Sequence, residues 1–315
     1  MNLNPKQVAA ILAEQDNITI LTHFHPDGDT LGSALALLRA LRKMGKKVNF
    51  VKNDPVHRKY AYLWKGLKKQ DFEEKFVVAV DIATEELLGD ALKEQYAGKI
   101  DLSIDHHPSN TMFAKDTCLE GESAAAAEII YYVIKELGVE FDGDMASCIY
   151  TGISTDTGCF KFRNTTARTF YIAGIMKELG ADTETINEVM FEIKTRGELE
   201  LERIMLEGME YYFDDKLAIA VITQDMYKQT GTSEDECEYI ASIPRQVAGV
   251  YVGITIRERT NGTYKASVRT KPPIDASEIC RAFGGGGHMN AAGCRFDGTL
   301  EEFKNKFITV VGEVL

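Results

Sequence analysis

Short apolar runs alternate with stretches of helical period through the first half of the chain. "NITILTH", "KKVNFV", "KFVVAVD" and "KIDLSIDHH" read as buried strands, too short and too continuously apolar for amphipathic helices. "TLGSALALLRALRKMG", "ESAAAAEIIYYVIKELG" and "TTARTFYIAGIMKELG" carry apolar residues at helical spacing, and each closes on a glycine. Alternation of this kind predicts a parallel sheet with helices on both faces. "TETINEVMFEIKTRGELELERIMLEGMEYY" then predicts one long polar connecting helix. Beyond it the rhythm changes to "KLAIAVIT", "YVGITIRER" and "TYKASVRT", with Asn-Gly between the last two marking a hairpin. The expected fold class is α/β: a parallel-sheet domain over 1–185, a helical linker over 186–212, and a smaller, largely antiparallel α+β domain over 213–315.

Composition narrows the function classes. A chain of 315 residues suits two domains, and 44% hydrophobic residues exclude global disorder. A formal net charge of -12 argues against a protein that coats long nucleic acid. A short anionic substrate stays compatible, because local cations override a distant acidic surface. No segment reaches the roughly 18 apolar residues of a membrane span. "MNLNPKQVAAILAEQDN" lacks the basic start and apolar core of a secretory signal. Cys118, Cys148, Cys159, Cys237, Cys280 and Cys294 are scattered without a C-x-x-C pair, as reduced cytoplasmic thiols would be. The expectation is a cytoplasmic protein with no membrane partner.

Four stretches carry the candidate chemistry: "HFHPDGD", "VVAVDIAT", "SIDHHPSN" and "TGISTDTGCF". A lone strand-end aspartate such as Asp81 is ordinarily a cap or a turn residue. The combination is harder to dismiss, since carboxylates crowded together repel unless a cation or a proton separates them. His23 to Asp29, Asp81, and Asp105 to His107 all follow predicted strands, where functional groups of a parallel sheet gather. Imidazole with carboxylate suits a divalent ion such as Mn²⁺ better than zinc in a thiolate site. Two such ions sharing a carboxylate hydrolyse phosphoryl esters. His25 and His57 fall outside this set.

In the second domain, "FGGGGHMNAAGCRF" strips side chains from Gly284, Gly285, Gly286 and Gly287, so backbone amides can approach an anion. The following "MNAAG" reads as a helix whose N-terminus would add its dipole. Arg269, on the strand before the glycine run, is placed to fork onto a terminal phosphate. Arg257 and Arg295 read as solvated strand-face cations.

Together these motifs resemble the DHH phosphoesterase family, named for the triplet that stands here as Asp105, His106 and His107. Its first motif, His-x-x-Pro-Asp-x-Asp, matches His23, Pro26, Asp27 and Asp29. Its isolated strand-end aspartate matches Asp81, and its fourth motif matches Asp156. The glycine run with His288 and the Ala-Ala-Gly beyond it is similar to the GGGH-x-x-AAG signature of a C-terminal substrate domain found with many DHH proteins. The resemblance implies two Mn²⁺ ions per chain. His23 and Asp27 would hold one, Asp29, His106 and Asp156 the other, and Asp81 would bridge them. His107 would contact substrate phosphate or orient a ligand, with Asp105 behind the histidines. Arg269, Gly284, Gly285, Gly286, Gly287 and His288 would bind substrate.

The compact two-domain arrangement is similar to the oligoribonuclease/pAp-phosphatase group, or nano-RNases. That likeness implies an enzyme acting on short RNA oligonucleotides, linear dinucleotides such as pApA, and 3′-phosphoadenosine 5′-phosphate (pAp), and not on long nucleic acid. A cyclic-dinucleotide phosphodiesterase, opening c-di-AMP or c-di-GMP, and a non-catalytic nucleotide-binding module are the alternatives. The main substrate, the direction of attack and the oligomeric state, a homodimer included, stay open.

Overall fold

The strand order β2-β1-β3-β4-β5 organises the first half of the chain: β1 (Ile18–Leu21), β2 (Val48–Phe50), β3 (Phe76–Val80), β4 (Leu102–Asp105) and β5 (Asp116–Leu119), all parallel. The structure, a computed structural model, describes residues 2–53 and 56–315; the side chains of Asp235, Glu236, Glu238 and His288 lie outside the described residues. It divides into two compact units, one ending at Ile193 and the other beginning at Lys194.

Among the described residues the first unit holds the α-helices α1 (Pro5–Glu14), α2 (Gly28–Lys43), α3 (Gly89–Tyr96), α4 (Ala126–Glu136), α5 (Gly143–Asp156), α6 (Ala167–Glu178) and α7 (Thr183–Asn187). Side-chain alternation along β3 explains why both sheet faces are covered. Val78 and Val80 join the main core with Leu31, Leu35, Ile130 and Ile149, whereas Val77 and Ala79 pack with Leu88, Leu92 and Tyr96. Asn4, Asp27, Asp142 and Thr166 cap their helices through side-chain oxygens, which accept otherwise orphaned amide donors. The strand order reverses between β1 and β3. A crevice at the carboxyl ends of those strands is where such sheets place ligands.

The second unit holds α8 (Arg196–Glu207), β6 (Glu210–Tyr212), β7 (Leu217–Ile222), α9 (Gln224–Thr230), α10 (Ile243–Gln246), β8 (Val252–Glu258), β9 (Tyr264–Thr270), α11 (Ala276–Arg281), β10 (Gly286–His288), β11 (Ala291–Phe296) and α12 (Leu300–Gly312). Its sheet runs β10-β11-β9-β8-β7-β6, antiparallel except for the β7–β8 pair. Phe303 and Phe307 of α12 fill one face against Ile254, Ile256 and Val268; Leu201 and Met205 of α8 fill the other against Ala220 and Ile222. Among the described residues no helix is long and apolar enough to cross a membrane.

Two expectations fail here. The single connecting helix is broken: α7 passes into a π turn over Glu188–Glu192, Ile193 is extended, and Thr195 starts α8 with a capping box to Glu198. Apolar spacing alone did not register that restart signal. The "MNAAG" helix does not exist either. Ala291, Ala292 and Gly293 lie in β11, each paired with β10 and with β9. Ladder hydrogen bonds outweigh the helical propensity of two alanines, so no helix dipole stands behind the glycine run.

Candidate metal centre

Every donor in the first unit sits where a regular element begins or ends. His23 follows β1; Asp27 is the N-cap of α2, its Oδ1 accepting the Asp29 and Thr30 amides at 3.0 and 3.1 Å. Asp81 follows β3 in a left-handed backbone conformation, φ +60°. That geometry costs a non-glycine residue about 1–3 kcal/mol and persists where the surroundings enforce it. Asp105 ends β4, with His106 and His107 next, and Asp156 ends α5.

These ends converge. Ligand atoms of His23, Asp27 and Asp81 lie within 4.8 Å of one another, as do those of Asp29, His106 and Asp156, and those of Asp81, His106 and His107. Asp81 divides its oxygens: Oδ2 is 3.9 Å from His23 Nε2, and Oδ1 is 3.5 Å from His106 Nε2. His106 Nε2 also faces Asp156 at 3.5 Å and Asp29 at 3.8 Å, while His23 Nε2 faces Asp27 at 3.7 Å.

Surrounding groups hold the donors in place. His23 Nδ1 meets the Phe24 carbonyl at 2.9 Å, and His106 Nδ1 meets the Ser123 carbonyl at 3.1 Å. Both rings thereby turn Nε2 toward the carboxylates, the usual way an outer partner orients a ligating imidazole. Asp105 accepts from the His106 amide, His107 Nδ1 and Asn110 Nδ2 at 2.8, 2.8 and 2.6 Å. Asp29, fully buried, accepts the Ala126 and Ala127 amides at 2.6 and 3.0 Å and the Ser33 hydroxyl at 3.1 Å. Absent side chains make this approach possible. A Cβ on Gly152 would lie 2.6 Å from Ala127 Cβ and 2.7 Å from Asp29 Oδ1, and one on Gly32 would collide with the Cys148 carbonyl. Helices α2 and α5 therefore pack closely enough to bring Asp29 and Asp156 to one point.

The electrostatics fit a cation. Burial, then the charges of Asp29, Asp27, Asp156 and Asp105, drive the Asp81 carboxyl well above its ordinary range. Burial and then Asp29 do the same to Asp156. Burial also works against Asp27, but the hydrogen bond and charge of His23 and two backbone amides hold it low. Asp81 Oδ1 is buried without a hydrogen-bond partner among the described residues. An orphaned buried carboxylate oxygen 3.5 Å from the His106 and His107 imidazoles, in the field of four other carboxylates, suits a divalent ion.

In the second unit Arg269 and His288 stand on either side of Ala291 in one cross-strand row of β9, β11 and β10. Arg269 is half-buried, its Nη1 donating to the Val268 carbonyl at 3.1 Å. Gly284 and Gly285 line a surface cavity of about 400 Å³ with Lys265, Phe283, Gly293, Cys294 and Arg295. Gly286 and Gly287 are strand residues. Arg257, expected on a solvated face, is instead buried.

Residue types alone did not flag Ser33, Asn110, Ser123 or the Ala126 and Ala127 amides. The one available signal was the alanine run, expected to be ordinary helix from Ala124; the helix begins at Ala126, and its small residues admit Asp29.

Residues 17–153 match the DHH family, N-terminal domain, and residues 214–315 match the DHHA1 domain. The chain is 31% identical to the bifunctional oligoribonuclease and PAP phosphatase NrnA of Thermus thermophilus, covering 98% of this chain and 93% of that protein. It is 25% identical to the NrnA of Bacillus subtilis over 88% of each chain. An exopolyphosphatase-related protein from Bacteroides fragilis shares the fold at a TM-score of 0.90 and 24% identity, covering 98% of this chain and 95% of that one. With His/Asp donor sets typical of such enzymes, this NrnA-related chain belongs to the DHH phosphoesterase family, hydrolases of phosphoester bonds, and carries a DHHA1 domain in its second unit.

Proposed function

We propose that the protein is a Mn²⁺-dependent phosphodiesterase and phosphatase that hydrolyses short oligoribonucleotides, linear dinucleotides such as pApA, and pAp, releasing mononucleotides. The observation that carries this reading is Asp81, which turns one carboxylate oxygen toward His23 and the other toward His106. His23 and Asp27 hold one Mn²⁺, Asp29, His106 and Asp156 hold a second, and Asp81 belongs to both. An ion pair bound there supplies charge stabilisation at the phosphoryl oxygens and lowers the pKa of the attacking water. Asp105 fixes the His107 ring through Nδ1, and His107 contacts the substrate phosphate. Arg269, Gly284, Gly285, Gly286, Gly287 and His288 take the far phosphate or nucleotide. The names of the NrnA relatives support the substrate class, and the net charge of -12 favours short substrates over long strands.

The test is product release by the purified, Mn²⁺-loaded protein from pAp, pApA, c-di-AMP, a five-nucleotide RNA and a long RNA. Mononucleotides from the first two and the pentamer, with c-di-AMP and long RNA left intact, are expected. Turnover of c-di-AMP alone would make it a cyclic-dinucleotide phosphodiesterase. Binding of pAp with no release from any substrate would leave a regulatory module.

A further inference from the structure

The loop between β5 and α4 serves the metal centre twice. Its Ser123 carbonyl meets His106 Nδ1, and the α4 amides that follow it grip Asp29. Its sequence, "EGESAA", has nothing stiff in it. The constraint comes from Arg168 in the first turn of α6. Arg168 Nη2 donates to Glu120 Oε2 at 3.0 Å, and Nε pairs with Glu128 Oε2 at 3.3 Å by charge, without hydrogen-bond geometry.

Both carboxylates pass the constraint on. Glu120 Oε2 accepts the Ser123 hydroxyl at 2.9 Å. Glu128, wholly buried, accepts the Ala124 amide at 3.4 Å through Oε2 and the Thr169 hydroxyl at 2.7 Å through Oε1. Asn164 ties the same loop to the last donor, its Nδ2 reaching the Ala124 carbonyl at 3.0 Å and the Asp156 carbonyl at 3.1 Å. The guanidinium is itself seated over the Tyr132 ring at 4.6 Å. A planar fork spanning two carboxylates is a task lysine cannot copy.

We infer that Arg168 is a positioning residue for the donor set of Asp29, His106 and Asp156, and has no part in that of His23 and Asp27. It acts by clamping the loop at Glu120 and Glu128, so that the Ser123 carbonyl holds the His106 ring and the α4 amides hold Asp29. The inference rests on the two-site reading above. A role confined to neutralising buried Glu128 would be met by any cation at this position.

The test is Mn²⁺ binding by the full-length protein, measured by calorimetry and electron paramagnetic resonance, for wild type, Arg168→Lys, Arg168→Met and His106→Ala. Thermal midpoints are read on the metal-free proteins. Arg168→Lys keeps the charge and the fold, so it remains informative if Arg168→Met fails to fold. Expected is a wild-type first affinity and a second affinity weakened about 10–100-fold, as for other outer partners of metal ligands. Wild-type filling of both sites in Arg168→Lys, or equal weakening of both, overturns the clamp. If His106→Ala loses one equivalent while Arg168→Lys binds both ions with wild-type affinity, the clamp alone is wrong. If His106→Ala still takes up two equivalents, the two-site reading falls and the clamp with it.

Discussion

The first unit builds its candidate site from side chains, whereas the second offers mainly backbone. Asp29, Asp105 and His106 stand at element ends and are fixed by named amides, hydroxyls and carbonyls, and they surround Asp81. Gly286 and Gly287 belong to an edge hairpin, with Arg269 as the identified cation in the adjoining row. The contrast separates two tasks. Holding ions against carboxylate repulsion needs many fixed donors, whereas gripping a phosphate needs an approachable main chain and one fork. Chemistry and capture should therefore respond differently to substitution.

The largest expected break in that contrast is Asp81→Asn. Loss of the shared ligand should leave well under two equivalents of Mn²⁺ and lower turnover by about 10³-fold or more on every substrate. Metal analysis beside a circular-dichroism spectrum checks it, and two tightly bound ions would sink the bridging role. Arg269→Ala should do the opposite, keeping both ions and hydrolysing bis-p-nitrophenyl phosphate near the wild-type rate. On pApA or pAp its kcat/KM should fall about 10²-fold, the scale of a charge-assisted anchor worth about 3 kcal/mol. Equal losses on generic and nucleotide substrates would erase the division.

Gly32→Ala tests the packing beneath the first site. Its methyl has to displace the Cys148 carbonyl, so a destabilisation of about 1–3 kcal/mol is expected, with weakened metal uptake. An unchanged melting temperature would mean that α2 and α5 can part without disturbing Asp29. Gly286→Ala is the gentlest probe, since a Cβ there meets nothing within 4 Å. Stability should hold to within about 0.5 kcal/mol, while KM for pApA rises several-fold if substrate presses against this main chain. An unchanged KM would show that the glycine run serves the hairpin alone.

How legible the molecule was follows the same division. The parallel sheet could be read because β1, β3 and β4 are buried on both faces and so show continuous apolar runs. The donors could be read because histidine and aspartate crowding after a strand has few structural uses. The connector was misread because a capping box at Thr195 and Glu198 interrupts an apolar period that otherwise continues. The hairpin was misread because alanine and glycine carry little directional information, and strand pairing with β9 decided the outcome. The main-chain support of Asp29 left almost no trace in residue types, since any small residue supplies the same amide.

Asp156 is the last of the assembled donors, and α6 and α7 separate it from the boundary at Ile193. Everything that defines the metal centre is therefore encoded in one uninterrupted stretch, upstream of every residue assigned to capture. For a lineage, that order makes the protein a pair of separable inheritances. On the proposed division of tasks, an exchange downstream of Lys194 would replace every residue assigned to capture and leave the sequence of every assembled donor unchanged.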